Sequence, residues 1–177
     1  MVATFEDFEK SKKFFNSGDI TNTLESLEKV LDQLDRSKNE KKADILQFLN
    51  KLLKHCQDMH LTEEEAVVLR ALAKAHTKFK EHAEALKYSY QALKVRKKLG
   101  KKLDIADSMV FFAEDLEVSG NYVECVKQFS EAADIYQELG KLRKEKDVRK
   151  EIKRLEKFSK EMVEDEYYLN KFHIDKF

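Results

Sequence analysis

The chain has no proline and no tryptophan among its 177 residues, and only four glycines: Gly18, Gly100, Gly120 and Gly140. Proline breaks helix interiors and glycine weakens them by about 1 kcal/mol, so their scarcity favours long, uninterrupted helices. β-Branched runs bounded by turn dipeptides, the signature of strands, are also missing. No charge of one sign prevails: 34 basic and 34 acidic side chains cancel, so no global field draws the molecule to nucleic acid or anionic lipid. The two cysteines, Cys56 and Cys125, lie inside apolar helical patterns rather than at metal-ligand spacing. They read as small buried hydrophobes in a reducing compartment. No apolar run approaches the ~18 residues that span a bilayer, and the early FEDFEK segment is acidic, not a basic-then-apolar leader. The expectation is a soluble, cytoplasmic, all-α protein.

What is present is charge, at 38% of residues, interleaved with apolar positions at helical spacing. Helices are expected over residues 5–16, 20–34, 43–58, 62–79, 82–99, 103–118, 121–139 and 142–165. Leu24, Leu27, Val30, Leu31 and Leu34 form one buried stripe. The third helix carries Ile45, Leu46, Phe48, Leu49, Leu52 and Leu53 over more than half its circumference, which predicts deep packing. Thr62 reads as an N-cap, with Glu63, Glu64 and Glu65 in the first turn, where the helix dipole favours carboxylates. The polar RSKNEKK at 36–42 is the best loop, and the tail EYYLNKFHIDKF adds a final turn or extends the last helix.

Residues 121–140 can be laid on residues 81–100 at a constant offset of 40: Glu84 falls on Glu124, Ala85 on Cys125, Ala92 on Ala132 and Gly100 on Gly140. A fixed period in this range marks a helical array, whose units bury their apolar faces against one another. The match does not extend cleanly into the third helix.

In the first of these units Leu69, Leu72, Ala73 and His76 precede Ala85, Tyr88, Ala92 and Leu93. In the next, Met109, Phe112, Ala113 and Leu116 precede Gly120, Cys125, Phe129, Ala132 and Ala133. This order of large, small and ring residues resembles the tetratricopeptide repeat over residues 62–140, in the long-repeat form of kinesin-light-chain-like and LGN-like proteins. The N-terminal pair departs from the pattern at Lys10 and Ser11, and the third helix has no place in a strict two-helix scheme. Small residues at crossings also suit a plain antiparallel bundle. The resemblance implies stacked antiparallel hairpins in a short superhelix: a single domain over residues 1–177, with an N-terminal helical layer at 5–60, two hairpins at 62–140, and a charged capping helix and tail at 141–177.

It further implies a non-enzymatic adaptor that takes a peptide or helix of a protein partner on its inner face. Carried over, that face comprises Arg70, Lys74, Thr77 and Lys78, then Asp107, Val110, Phe111, Glu114 and Glu117. Arg70, Lys74 and Lys78 recur every four residues and share one helical stripe, suited to a carboxylate or acidic peptide, or simply to solvent. The asparagines with which some family members clamp a terminal carboxylate are absent.

Residues 141–160 carry ten Lys or Arg against four Asp or Glu, with Val148, Ile152, Leu155 and Met162 along one side. The segment reads first as a capping helix, with partner pairing and contact with nucleic acid or a membrane surface as alternatives. A second copy of the chain is a further candidate partner, through Tyr167, Tyr168, Leu169 and Phe172.

Enzyme chemistry finds no support in the sequence. His55 and His60 are five apart and His76 and His82 six apart, not the register of two ligands on one helix face. Acid pairs such as Asp32 and Asp35 sit at solvated helical spacing, and no nucleophile is assembled with a base. Neither a cofactor nor a small-molecule substrate is expected.

Overall fold

The computed structural model describes the backbone of residues 2–34 and 41–174 and the side chains of residues 6–34 and 41–161. The loop expected at 36–42 therefore lies mostly outside the described residues, as do the side chains of Tyr167, Tyr168, Leu169 and Phe172. Among the described residues the protein is all-α, with eight helices and no strand: α1 Val2–Asn16, α2 Ile20–Gln33, α3 Lys42–Asp58, α4 Thr62–Lys78, α5 His82–Leu99, α6 Lys102–Val118, α7 Tyr122–Glu138 and α8 Leu142–Ile174. Each begins and ends within a few residues of its expected bounds except α8, which runs on through the tail.

The turns explain why the boundaries are so regular. After α3, α4, α5, α6 and α7 one residue takes positive φ, at His60, Lys80, Gly100, Gly120 and Gly140, a spacing of twenty residues each time. At four of the five, two backbone bonds close the helix in the same way. Lys80 N–H reaches Thr77 C=O and Glu81 N–H reaches His76 C=O; Gly120 and Asn121 repeat this onto Glu117 and Leu116. The left-handed residue lets the chain reverse while capping the last carbonyls. Gly18 does the same after α1, where Asp19 N–H reaches Phe14 C=O. Asp19 then caps α2 by accepting the Asn22 N–H at 3.1 Å. Thr62, by contrast, is already helical: the cap of α4 is Leu61, which makes no side-chain capping bond.

The twenty-residue step draws α3 into the repeat. Ile45, Ala85 and Cys125 occupy one position at offsets of 40 and are all buried, as are Leu49, Ser89 and Phe129, and Leu52, Ala92 and Ala132. The third helix is thus in register with α5 and α7, contrary to the sequence expectation. Its large side chains at those positions had concealed the match with smaller ones in α5.

Two compact units divide the chain, residues 1–108 and 109–177, and the division falls within α6. In the first, α1 packs on α2, and α4 packs on α2, α3 and α5. Its core joins Phe8, Leu27, Leu31, Phe48, Leu49, Leu52, Cys56, Val68 and Leu72. Phe48 meets both Phe8 and Phe15 in T-shaped pairs, each at 5.7 Å between centroids. In the second unit α7 packs on α8, with Cys125, Phe129, Tyr136, Val148 and Leu155 buried. No described helix is long and apolar enough to cross a membrane.

Candidate functional site

Within the first unit an open groove of about 420 Å³ runs between α2 and α4, reached at one end by Arg96 of α5. Its apolar floor is Leu24 and Leu31 of α2 with Val67 and Ala71 of α4; its charged rim is Glu25, Glu28, Glu63, Glu64, Arg70, Lys74 and Arg96. Helical spacing builds both walls: Thr21, Leu24, Glu25, Glu28 and Leu31 fall three and four apart, as do Glu63, Glu64, Val67, Arg70, Ala71 and Lys74. Each wall thus presents apolar positions next to a charged stripe. Val67 is among the few exposed large hydrophobic residues.

The charges on the rim are not equivalent. Lys74 Nζ donates to the Asp32 carboxylate near the C-terminal end of α2. That hydrogen bond, followed by the charges of Lys74, Lys78 and Arg70, holds the Asp32 carboxyl below its ordinary range against partial desolvation. Lys101 binds Glu63 in the same manner and lowers its carboxyl too, and Arg96 pairs with Asp104 at 3.2 Å. Glu25, Glu28 and Glu64 have no ion-pair or hydrogen-bond partner among the described residues. The basic stripe legible in the sequence is therefore partly answered by α2, while three carboxylates remain open to a ligand.

Of the expected contact residues, Arg70 and Lys74 line this groove. Thr77 spends its hydroxyl on the Ala73 carbonyl at 3.1 Å, and half-buried Lys78 acts on Asp32 through its charge. Val110, Phe111 and Glu114 belong to the second unit, on α6, where Val110 and Phe111 are half-buried and Glu114 is exposed. Sequence reasoning missed Glu25, Glu28, Val67 and Arg96. The signal was there for α2: its acids flank the leucine stripe at matching spacing, but which neighbour faces them depends on tertiary packing.

His76 is buried outside the groove lining, stacked on Tyr88 at 5.3 Å with its Nδ1 2.9 Å from Glu81 Oε2. Glu81 also accepts from Lys42 of α3 at 2.6 Å, and these contacts hold its carboxyl below the ordinary range, Lys42 contributing most. The cluster ties the start of α3 to the α4–α5 turn. Among the described residues no three His, Cys, Asp or Glu side chains gather as metal ligands.

Fold and groove together define an all-helical protein with an open, charge-rimmed cleft between two neighbouring helices. No family model matches the chain, and no curated protein is significantly similar to it.

Proposed function

We propose that the protein is a non-enzymatic adaptor of the cytoplasm, built from tetratricopeptide-like hairpins, that binds a segment of a partner protein in the α2–α4 groove. The carrying observation is the juxtaposition of an apolar floor at Leu24, Val67 and Ala71 with carboxylates at Glu25, Glu28 and Glu64 that no described side chain satisfies. An amphipathic helix laid in such a groove buries its apolar face and brings lysines or arginines to the rim. Opposite charge steers encounter and sets register more than it raises affinity. Because Lys74 is already held by Asp32, a cationic segment suits the site better than the acidic peptide suggested by the basic stripe alone. The twenty-residue helix–turn step supports the repeat reading, since it brings equivalent packing positions to α3, α5 and α7.

The test is affinity purification from native lysate with the wild type and a Val67→Arg/Glu28→Arg variant side by side. Both positions are exposed at the groove and outside the core, so circular dichroism should be unchanged while partner recovery falls at least tenfold. Undiminished recovery would remove the groove from the account.

A further inference from the structure

A second surface has a different chemistry. On α8, Arg143, Lys146, Lys150, Lys153, Lys157 and Lys160 recur at steps of three and four residues, and all six are exposed. They form a single stripe about 26 Å long at 1.5 Å per residue. The other arginines of the helix are committed inward. Arg149 binds Glu145 at 2.8 Å and reaches Asp134 and Gln137 of α7; Arg154 binds both oxygens of Glu117 at 2.8 Å. Of the six outward cations only Lys157 meets an acid among the described residues, Glu161 at 3.5 Å. Val148 and Leu155 are buried on another side of the helix, so the stripe is not needed for packing. Like charges three and four apart repel along it, and Asp147 and Glu156, at the same spacing from Arg143, Lys150, Lys153 and Lys160, offset part of that repulsion.

We infer that this stripe is a docking surface for the phosphate backbone of duplex nucleic acid, without sequence preference. A neutral chain that concentrates six cations on one helix face creates a local field that its net charge conceals. Duplex DNA carries one charge per ~1.7 Å of its axis, so a 26 Å row of cations meets several phosphates at once. Single strands fit less well, because they need aromatic faces for stacking. The stripe has none, and Phe158 is turned to Tyr122 at 5.5 Å between centroids. A membrane surface also fits less well. An interfacial helix carries a row of apolar side chains beside its cations to enter the headgroup layer, whereas among the described residues of α8 the exposed large apolar side chains are Leu142, at one end, and Phe158, which is turned to Tyr122.

The experiment is fluorescence anisotropy of the full chain with a labelled 20-base-pair duplex, titrated between 50 and 200 mM NaCl. With four to six phosphates neutralised, log K should fall against log salt with a slope of about −4 to −5. A Lys146→Gln/Lys150→Gln/Lys153→Gln variant should flatten that slope by roughly 3 at unchanged helicity. Failure to bind the duplex at 50 mM NaCl overturns the inference, as does undiminished binding by the triple variant. Tighter binding to a single strand of equal length, or to phosphatidylserine-containing vesicles at equal anionic charge, likewise overturns it in favour of that ligand.

Discussion

Two residues occupy a backbone conformation that their side chains oppose. His60 and Lys80 have φ of 56° and 60°, where the equivalent turns after α5, α6 and α7 use glycine. The left-handed region costs a residue with a Cβ roughly 1–2 kcal/mol, partly offset by the unfolded-state entropy that glycine adds. His60→Gly and Lys80→Gly should each therefore stabilise the protein by about 0.5–1 kcal/mol in urea unfolding. Gly120→Ala, at φ 80° with open space around the new methyl, should destabilise it by about 1 kcal/mol. This substitution at 60 and 80 is also why the period was only half legible. Glycine at 100, 120 and 140 marks the turns, whereas histidine and lysine do not.

The cysteines behave at this scale as their apolar surroundings suggested. Burial pushes the Cys56 thiol up to about 11, with Glu64 and Glu65 adding to it, and burial likewise pushes Cys125 to about 11. The nucleophilic thiolate is then scarce at neutral pH, so a thiol-trapping reagent should label the native protein slowly and the unfolded protein fast. Raised folded-state values mean that the native state holds these protons more tightly. Their contribution is complete below the ordinary value of 9.0 and should be lost as pH rises from there towards 11.

At the scale of the element, the absence of proline and the regular apolar stripes made the helices legible almost residue by residue. What they could not convey was partnership. Stripe phase says that Ile45, Leu49 and Leu52 are buried, but not that α3 stands where α5 and α7 stand in later units. Charge is similarly ambiguous: Arg149 and Arg154 look like the other cations of α8 in sequence, yet they lock the helix onto its unit. Arg154 donates from one terminal nitrogen to both oxygens of Glu117 while its Nε donates to Glu151 at 2.6 Å, and holding two carboxylates at once distinguishes it from an isolated surface pair. Arg154→Gln should cost about 1 kcal/mol in chemical unfolding, whereas Lys153→Gln, one residue away and unpaired among the described residues, should cost nothing measurable.

At the scale of the molecule, the all-α class followed from composition, and the forty-residue echo followed from two matched hairpins. The groove did not follow, because its walls, residues 21–31 and 63–74, are 32 to 53 residues apart in sequence. The inner face expected from the resemblance includes Arg70 and Lys74, which line the groove, but not Glu25 or Glu28, since these lie on α2, outside the residues that carry the resemblance. Nor could it foresee that Asp32 would neutralise Lys74. Both omissions are tertiary: a charge acquires its meaning from the helix opposite.

The central claim is that a partner segment lies in the α2–α4 groove, and site-specific photo-crosslinking tests it most directly. A photoreactive phenylalanine analogue is placed at Val67 in one protein and at Val123 in another, the latter 86% exposed on the second unit. Illumination in native lysate should yield a discrete crosslinked species from position 67, lost when Glu28→Arg is added, and none from position 123. Crosslinking from 123 with none from 67 would contradict the account.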